Sequence, residues 1–552
     1  MRRSAKLMLA LVVAVAGCAT PSPVPSPTPL PPPAATPTRS APVATATAPV
    51  PTPTPLPPRA WLDPRLPPTL QATLSERVRA AALTPTANTQ DADALRLTIA
   101  TTLTASIVAT EVFALAAPFL TAIDGLSAGE ARDMWLGRSP TRTLLLDTDV
   151  LAALTPTLGS PGAAPRVRLT ERAQLLTATL AAGANAFALL PFDMLDVRWR
   201  LMTVGTTNLF ERSADLTAYP FVLRVVASGP AAGRLGAPIS NRDPARMAVV
   251  AMTGVTALVR GTAVQMVAHG ETWPGEKIRS WLRDADIAHI SNEVSFNEAC
   301  PAPNWYEGTV FCSQPARLAL LKDVGTDVIE LTGNHLWDYG WRALSTTLTT
   351  YESLGWRTFG GGRTVTESLK PLTMTVNGNR IAFVGCNYFG ANWATDVLPG
   401  SARCGSKSPY QFDLITPTIR SLSAQGYLVI ATVQYAEDYQ YAPTPQQVRD
   451  FGLLRDAGAI VVNGSQGHHV QGFDVSRRGF IHYGVGNLFF GDQEGAGTHQ
   501  TFVDRHVFMD GRYLGVDLRA AFIENAAQPV PMTPAAKQAL LTLLFRVSGF
   551  SP

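Results

Sequence analysis

The sequence predicts an α/β protein in which a smaller α/β domain precedes a larger one. Two observations lead there. Short strand-like runs alternate with helix-like runs along both halves, as in DIAHISNE, ARLALLKDVG, DVIELTG and WRALSTTLTTYESLG, and strands separated by helices pair in parallel through crossover connections. A Gly- and Pro-rich segment, GPAAGRLGAPISNRDPA from Gly229 to Ala245, reads as the linker between the two domains. The chain has 552 residues, 46% of them hydrophobic and 16% charged, enough for two or three cores. Lys plus Arg number 45 against 42 Asp plus Glu, a formal charge of +3. That balance gives no reason to expect a nucleic-acid partner, which usually needs a concentrated basic face, and does not exclude an anionic substrate.

Residues 1–18 have the form of an export signal. Arg2, Arg3 and Lys6 precede an apolar run from Leu7 to Gly17, shorter than the roughly 20 residues a spanning helix needs. Its end, Val15-Ala16-Gly17-Cys18, resembles the lipobox of bacterial lipoproteins, which implies lipidation of Cys18; an ordinary signal peptide is the alternative. The expectation is an exported protein on the extracytoplasmic side of the cell envelope, touching the membrane only through its lipid. Residues 19–60 follow as a Pro/Thr-rich stalk, nearly all Pro, Thr, Ala, Ser and Val between Pro21 and Pro58. Such a composition forms no core and favours polyproline II, reaching on the order of 100 Å at about 3.1 Å per residue.

Residues 61–230 form the accessory α/β domain. VFALAAPF is strand-like, and Ser127-Ala-Gly-Glu130 has capping-box spacing before a helix towards Trp135. TRTLLLD, a helix around ERAQLLTATLAAG and strand-like NAFALLPFD come next. VFALAAPFLTAIDGLSAGEARDMWLG and ALLPFDMLDVRWRLMTV look similar to one part of a type 2 periplasmic solute-binding protein, although no ligand residue carries over. A plain accessory domain is the equal alternative.

The second domain spans 247–525, with a C-terminal helix and tail over 526–552. Strand-like MAVVAMTGVTALV, helix-like EKIRSWLRDA and the four runs quoted above lead to a hairpin turning at Asn377-Gly378. Strand YLVIATVQY, helix TPQQVRDFGLLRDAG and strand AIVVNGS follow, then the hairpins GFDVSRRGFIHYG and RHVFMDGRYLGVDLRAAF. Thr533 and Pro534 start the last helix. With Cys18 set aside, Cys300, Cys312, Cys386 and Cys404 allow three pairings. The sequence-near choice, Cys300 with Cys312 and Cys386 with Cys404, closes short loops, each worth about 3 kcal/mol in the chain-entropy model. A four-cysteine zinc site lacks the paired CxxC spacing it would need.

In a parallel α/β sheet, ligand groups collect where the strands end. Here the ends carry Asn292 and Glu293; Asn334 and His335; Gln434, Glu437 and Asp438; and Gln466, His468 and His469. Glu, Asn, Gln and His converging on one edge have the composition of a divalent-metal site. Asp338, three residues past His335, can hold one ring nitrogen and aim the other. His468 and His469 point oppositely if extended, so one of them at most reaches the site, and Glu437 and Asp438 read as solvated.

These residues also carry a family resemblance. The order Asn-Glu, LTGNHLWDYG, YAPTPQQ, VNGSQGHHVQG and IHYGVGNLFF resembles the CapA family, named for poly-γ-glutamate capsule synthesis, over roughly Met247 to Phe522. The resemblance implies a metallophosphatase-like four-layer α/β/β/α sandwich related to calcineurin-like phosphoesterases. It implies Glu293 as a metal bridge, Asn334 as a ligand, His335 as acid or transition-state stabiliser with Asp338 orienting it, and His468 as a further ligand. Tyr483, Gly486 and Asn487 match a segment read as structural. Three positions depart from the family: Gly254-Val255 stands for Gly-Asp, Gln434-Tyr435-Ala436 for His-Trp-Gly, and Gln466 for an inner His. The metal set is therefore Glu293, Asn334, Gln434, Gln466 and His468, holding one Mn or Mg ion or none. Two functions stay open at this point: a metal-dependent hydrolase of a phosphoester or anionic polymer, and a non-catalytic envelope protein binding a poly-γ-glutamate-type polymer. A sensor taking a small solute through the first domain is a third.

Overall fold

A computed structural model describes residues 57–100, 106–305, 308–390, 392–407, 411–491 and 495–552. Cys18, the export signal and the stalk as far as residue 56 lie outside the described residues. Arg59 and Ala60, counted above with the stalk, instead open the strand Arg59–Leu62.

The first half is built on one mixed sheet in the order Thr84–Thr86, Arg59–Leu62, Leu95–Ile99, Val222–Ser228, Ile107–Pro118, Ala186–Pro191, Thr143–Leu146, Val167–Leu169. The long strand Ile107–Pro118 is nearly all Val, Ala, Leu and Phe and mostly buried, as a strand covered on both faces must be. The capping box forms as read: Ser127 accepts from the Glu130 amide while the Glu130 carboxylate accepts from the Ser127 amide. The segment expected as a linker does otherwise. Its Ile239–Ser240 adds in parallel to Ile107–Pro118, and the core of the first half continues into Met247, Val249, Val507, Met509 and Leu514 of the second. Pro57–Pro552 is accordingly one compact unit.

The second half is the α/β/β/α sandwich. One sheet runs Arg357–Phe359, Val328–Glu330, Ile287–Asn292, Met247–Thr253, Gln500–Met509, Arg512–Glu524, Gln528–Pro531. The other runs Leu372–Val376, Asn379–Asn387, Leu428–Gln434, Ala459–Ser465, Gly479–His482, Phe473–Ser476, Gly549–Ser551. Val250, Met252 and Ile287 from the first meet Phe383, Ile430 and Val461 from the second in a shared core. Leu282, Leu320 and Leu344, from helices Arg279–Arg283, Leu318–Asp323 and Gly340–Ser353, cover the outer face of one sheet. Ile419 and Phe451, from Thr416–Ala424 and Pro445–Asp456, cover the other.

The end of the chain is not a loose tail. After the helix Pro534–Arg546, capped by Thr533, Gly549–Ser551 joins the second sheet beside Phe473–Ser476. The cysteines pair as the sequence-near choice has it, with Cα atoms 5.5 Å apart for Cys300–Cys312 and 5.0 Å for Cys386–Cys404.

Candidate functional site

Two adjacent sheets of parallel strands bring their carboxyl ends to one rim. From the first sheet come Glu293, one residue past Ile287–Asn292, and the loop Gly333-Asn334-His335 after Val328–Glu330. Those loops touch because residue 333 is glycine: a Cβ there would sit 2.5 Å from the Glu293 Cα. From the second sheet come Gln434, the last residue of Leu428–Gln434, and Gln466, the first after Ala459–Ser465. Gln466 and His468 both take left-handed backbone, at φ 75° and 48°, a conformation that costs non-glycine residues about 1 kcal/mol or more. Strain of this kind persists where surroundings over-determine a loop.

Four of the seven side chains singled out from the sequence form one hydrogen-bonded group. The amide nitrogen of Gln434 donates to Glu293 Oε1 at 2.5 Å, to Asn334 Oδ1 at 3.2 Å, and to Gln466 Oε1. Gln466 in turn donates to Glu437 at 3.3 Å, so Glu437, although exposed, belongs to the site. Glu293 is fully buried. Glu293 Oε2 and Gln434 Oε1 are buried without a hydrogen-bond partner among the described residues.

His335 and Asp338 form the predicted pair. Asp338 Oδ2 accepts from His335 Nδ1 at 2.6 Å and from the Phe311 amide at 2.7 Å. The carboxylate fixes the proton on Nδ1 and leaves Nε2 as the unprotonated nitrogen of the neutral ring. Burial works to lower the His335 pKa, but the Asp338 hydrogen bond and the charges of Glu293, Asp338 and Glu437 outweigh it, and the net direction is upward. The ring lies 4.1 Å from that of Phe311.

His468 Nδ1 meets Asn487 Oδ1 at 2.9 Å and its ring packs at 5.4 Å from Phe490. Asn487, read from sequence as structural, is thus the residue that orients His468. His469 turns away, its Nδ1 on the Val470 carbonyl at 2.8 Å. Val255, which stands where the resemblance would put an aspartate, belongs to a buried apolar cluster with Ala257, Val259, Val294, Phe311 and Phe490.

Beside the Gln434 group opens a cavity of about 510 Å³, lined by Asn334, Asn387, Phe389, Gly390, Gln434, Tyr435, Ala436, Glu437 and Gln466. Sequence reasoning missed Asn387, Phe389 and Gly390. Asn387 ends the strand Asn379–Asn387, so its position at a strand terminus was the available signal. Its Oδ1 accepts from the Phe389 and Gly390 amides, while its Nδ2 is buried with no partner among the described residues. Phe389 is 58% exposed at the mouth.

Residues 249–492 match the family model of the bacterial capsule synthesis protein PGA_cap. This part of the chain carries that capsule-synthesis domain. The region is similar to the capsule biosynthesis protein CapA of Bacillus anthracis, 23% identical over 309 residues that make up 54% of this chain and 72% of that one. It is also similar to the PGA biosynthesis protein CapA of Bacillus subtilis (strain 168), 25% identical over 31% of this chain and 44% of that one. A probable polyglutamine synthesis accessory protein of Mycobacterium tuberculosis (strain ATCC 25618 / H37Rv) is 26% identical over 34% of this chain and 51% of its own length. Among solved structures, a hypothetical protein from Thermus thermophilus aligns over 50% of this chain and 99% of its own, at 14% identity and TM-score 0.31. An ABC-type phosphate transport receptor from Vibrio cholerae aligns over 31% and 85%, at 7% identity and TM-score 0.25; neither likeness bears on function.

The CapA family implies a divalent metal, and the side chains present do not fit one. Glu293 is the single charged oxygen donor in the Gln434 group, the other oxygens being neutral carboxamides. Among the described residues no group of three or more His, Cys, Asp and Glu side chains could hold a metal ion. Mn and Mg centres built by protein side chains alone rest chiefly on carboxylates, and Glu293 is the one carboxylate among these four side chains.

Proposed function

We propose that this protein grips an anionic polymer of the poly-γ-glutamate type at the cell envelope and does not hydrolyse it. The observation that carries this reading is the cavity lining: four carboxamides, Asn334, Asn387, Gln434 and Gln466, with the exposed ring of Phe389. Carboxamides are matched donors and acceptors for a polyamide main chain. Asn387 Nδ2 adds a buried donor without an acceptor among the described residues, a group whose desolvation a ligand carbonyl or carboxylate would offset. The names of the relatives from the two Bacillus species, which concern capsule and PGA biosynthesis, support the substrate class. An export signal with Cys18 as the lipidated residue would place the grip outside the cytoplasm and tether it to the membrane. No helix among the described residues is long and apolar enough to cross a membrane.

The test is fluorescence polarisation of labelled poly-γ-glutamate oligomers against the full chain. Asn387→Ala and Phe389→Ala should each weaken binding about tenfold, or about 1.4 kcal/mol. Wild-type binding indistinguishable from that of uncharged dextran, or unchanged in both variants, overturns the proposal. The hydrolase reading rests on the His335–Asp338 pair. It predicts turnover of p-nitrophenyl phosphoesters with added Mn that is lost in His335→Ala; we expect no turnover in either protein.

A further inference from the structure

The centre of the site is filled from within. Glu293 Oε1, Asn334 Oδ1 and Gln466 Oε1 come from three separate loops and both sheets, and all three point at one atom, Gln434 Nε2. Three acceptors converging on a point is the geometry with which oxygen ligands surround a hard cation. Here the positive end is an amide N–H₂, with two hydrogens to share among three oxygens. We infer that Gln434 is an internal substitute for a cation, and that the site is assembled and held together without a metal.

The surroundings agree on chemical grounds. Gln434 and Glu293 are 1% and 0% exposed, so the amide is not a passing surface contact. Val255, Phe311 and Phe490 belong to one buried apolar cluster, whose side chains offer no oxygen or nitrogen ligand. Turning the Gln434 amide over by itself would bring its Oε1 against Glu293 Oε1, Asn334 Oδ1 and Gln466 Oε1, an arrangement that needs a cation or a matching turn of the two neighbouring carboxamides. With Nε2 inward the loops are bound through hydrogen bonds alone. Gln434 Oε1 without a partner among the described residues is what that orientation costs.

The inference does not depend on the polymer reading, and its experiment is separate from polymer binding. Full-length protein purified in chelator is equilibrated with MnCl₂, passed through gel filtration and assayed by elemental analysis and thermal melting. Wild type should retain below about 0.1 equivalent of Mn, with an unchanged melting temperature. Replacing both amides by imidazole, Gln434→His with Gln466→His, should raise retained Mn to about one equivalent. Gln434→Leu keeps the bulk and removes the donor; it should melt about 2 to 5 °C lower in metal-free buffer, since buried acceptors lose their partner. Near-stoichiometric Mn in the wild type overturns the inference. So does a Gln434→Leu variant that melts with wild type in chelator, a result that needs no new site to fold.

Discussion

At the scale of single residues, the site turns on how one buried carboxylate is held. The Oε1 of Glu293 receives a neutral amide and its Oε2 receives nothing among the described residues. Burying an anion this way is costly. Glu293→Gln keeps the shape and removes the charge, so its stability should stay within about 1 kcal/mol of wild type or rise; urea melts at pH 7 check this. A loss of several kcal/mol would show a cation working against that carboxylate. Gly333→Ala should do more harm than Glu293→Gln, because its Cβ meets backbone at 2.5 Å. Overpacking against atoms that cannot rotate away typically costs about 1–3 kcal/mol, and here it would also part the two loops that carry Glu293 and Asn334. Glu293, Asn334, Gln434 and Gln466 were legible in the sequence because each ends or follows a strand of a parallel sheet. Asn387 ends a strand equally well, but it sits past a hairpin, where the pattern gave no sign of a parallel neighbour.

At the scale of elements, local chemistry was readable and long-range pairing was not. The Asn377-Gly378 turn takes left-handed backbone at both residues, φ 49° and 79°, as a two-residue hairpin requires. Ile239–Ser240 and Gly549–Ser551 are strands only because distant partners accept them. Nothing in a run of only two or three residues announces that. The strand Gln500–Met509 carries a further consequence of burial. His506 is fully buried, its Nδ1 2.7 Å from the Tyr513 hydroxyl, facing also the His482–Asp504 pair. Burial, with His482 adding to it and Asp504 opposing, pushes its pKa down to about 4. The folded protein thus holds a neutral imidazole that the unfolded chain would protonate near 6.5. Its stabilising contribution is complete above about pH 6.5 and is lost as pH falls towards about 4, about 3 kcal/mol in all. His506→Gln should flatten that part of the stability profile, read as the difference between wild-type and variant urea midpoints at about pH 7 and about pH 4. Parallel profiles would mean that the imidazole titrates alike in both states.

For the whole described unit, the two halves share side chains too deeply to behave as beads on a string. Phe119 of the first half lies in the core between the sheets of the second, its ring 5.8 Å from Phe473, 5.8 Å from Phe480 and 5.7 Å from Phe545. In the other direction, Met247, Val249, Val507, Met509 and Leu514 complete the core of the first half. Polar contacts follow the same boundary: Glu211 pairs with Arg505 at 3.1 Å and with Arg519, and Lys537 reaches Asp124 at 2.9 Å. An interface made of core residues from both sides couples the two unfolding equilibria, whereas a polar contact between independent domains leaves them separate. Heating should therefore give one transition, reported alike by Trp135, buried in the first half, and Trp281, packed against the outer core of the second. Phe119→Ala should lower stability by about 3–5 kcal/mol and shift both reporters together, although the residue belongs by sequence to the first half. Two resolved transitions in calorimetry, with Phe119→Ala moving one of them, would show that the halves fold independently. Coupling of this kind also bears on the grip: a first half that locks onto Gln500–Met509 and Arg512–Glu524 steadies the sheet whose far strands present Glu293 and Asn334, so Phe119→Ala should weaken polymer binding only at temperatures where the common transition has begun.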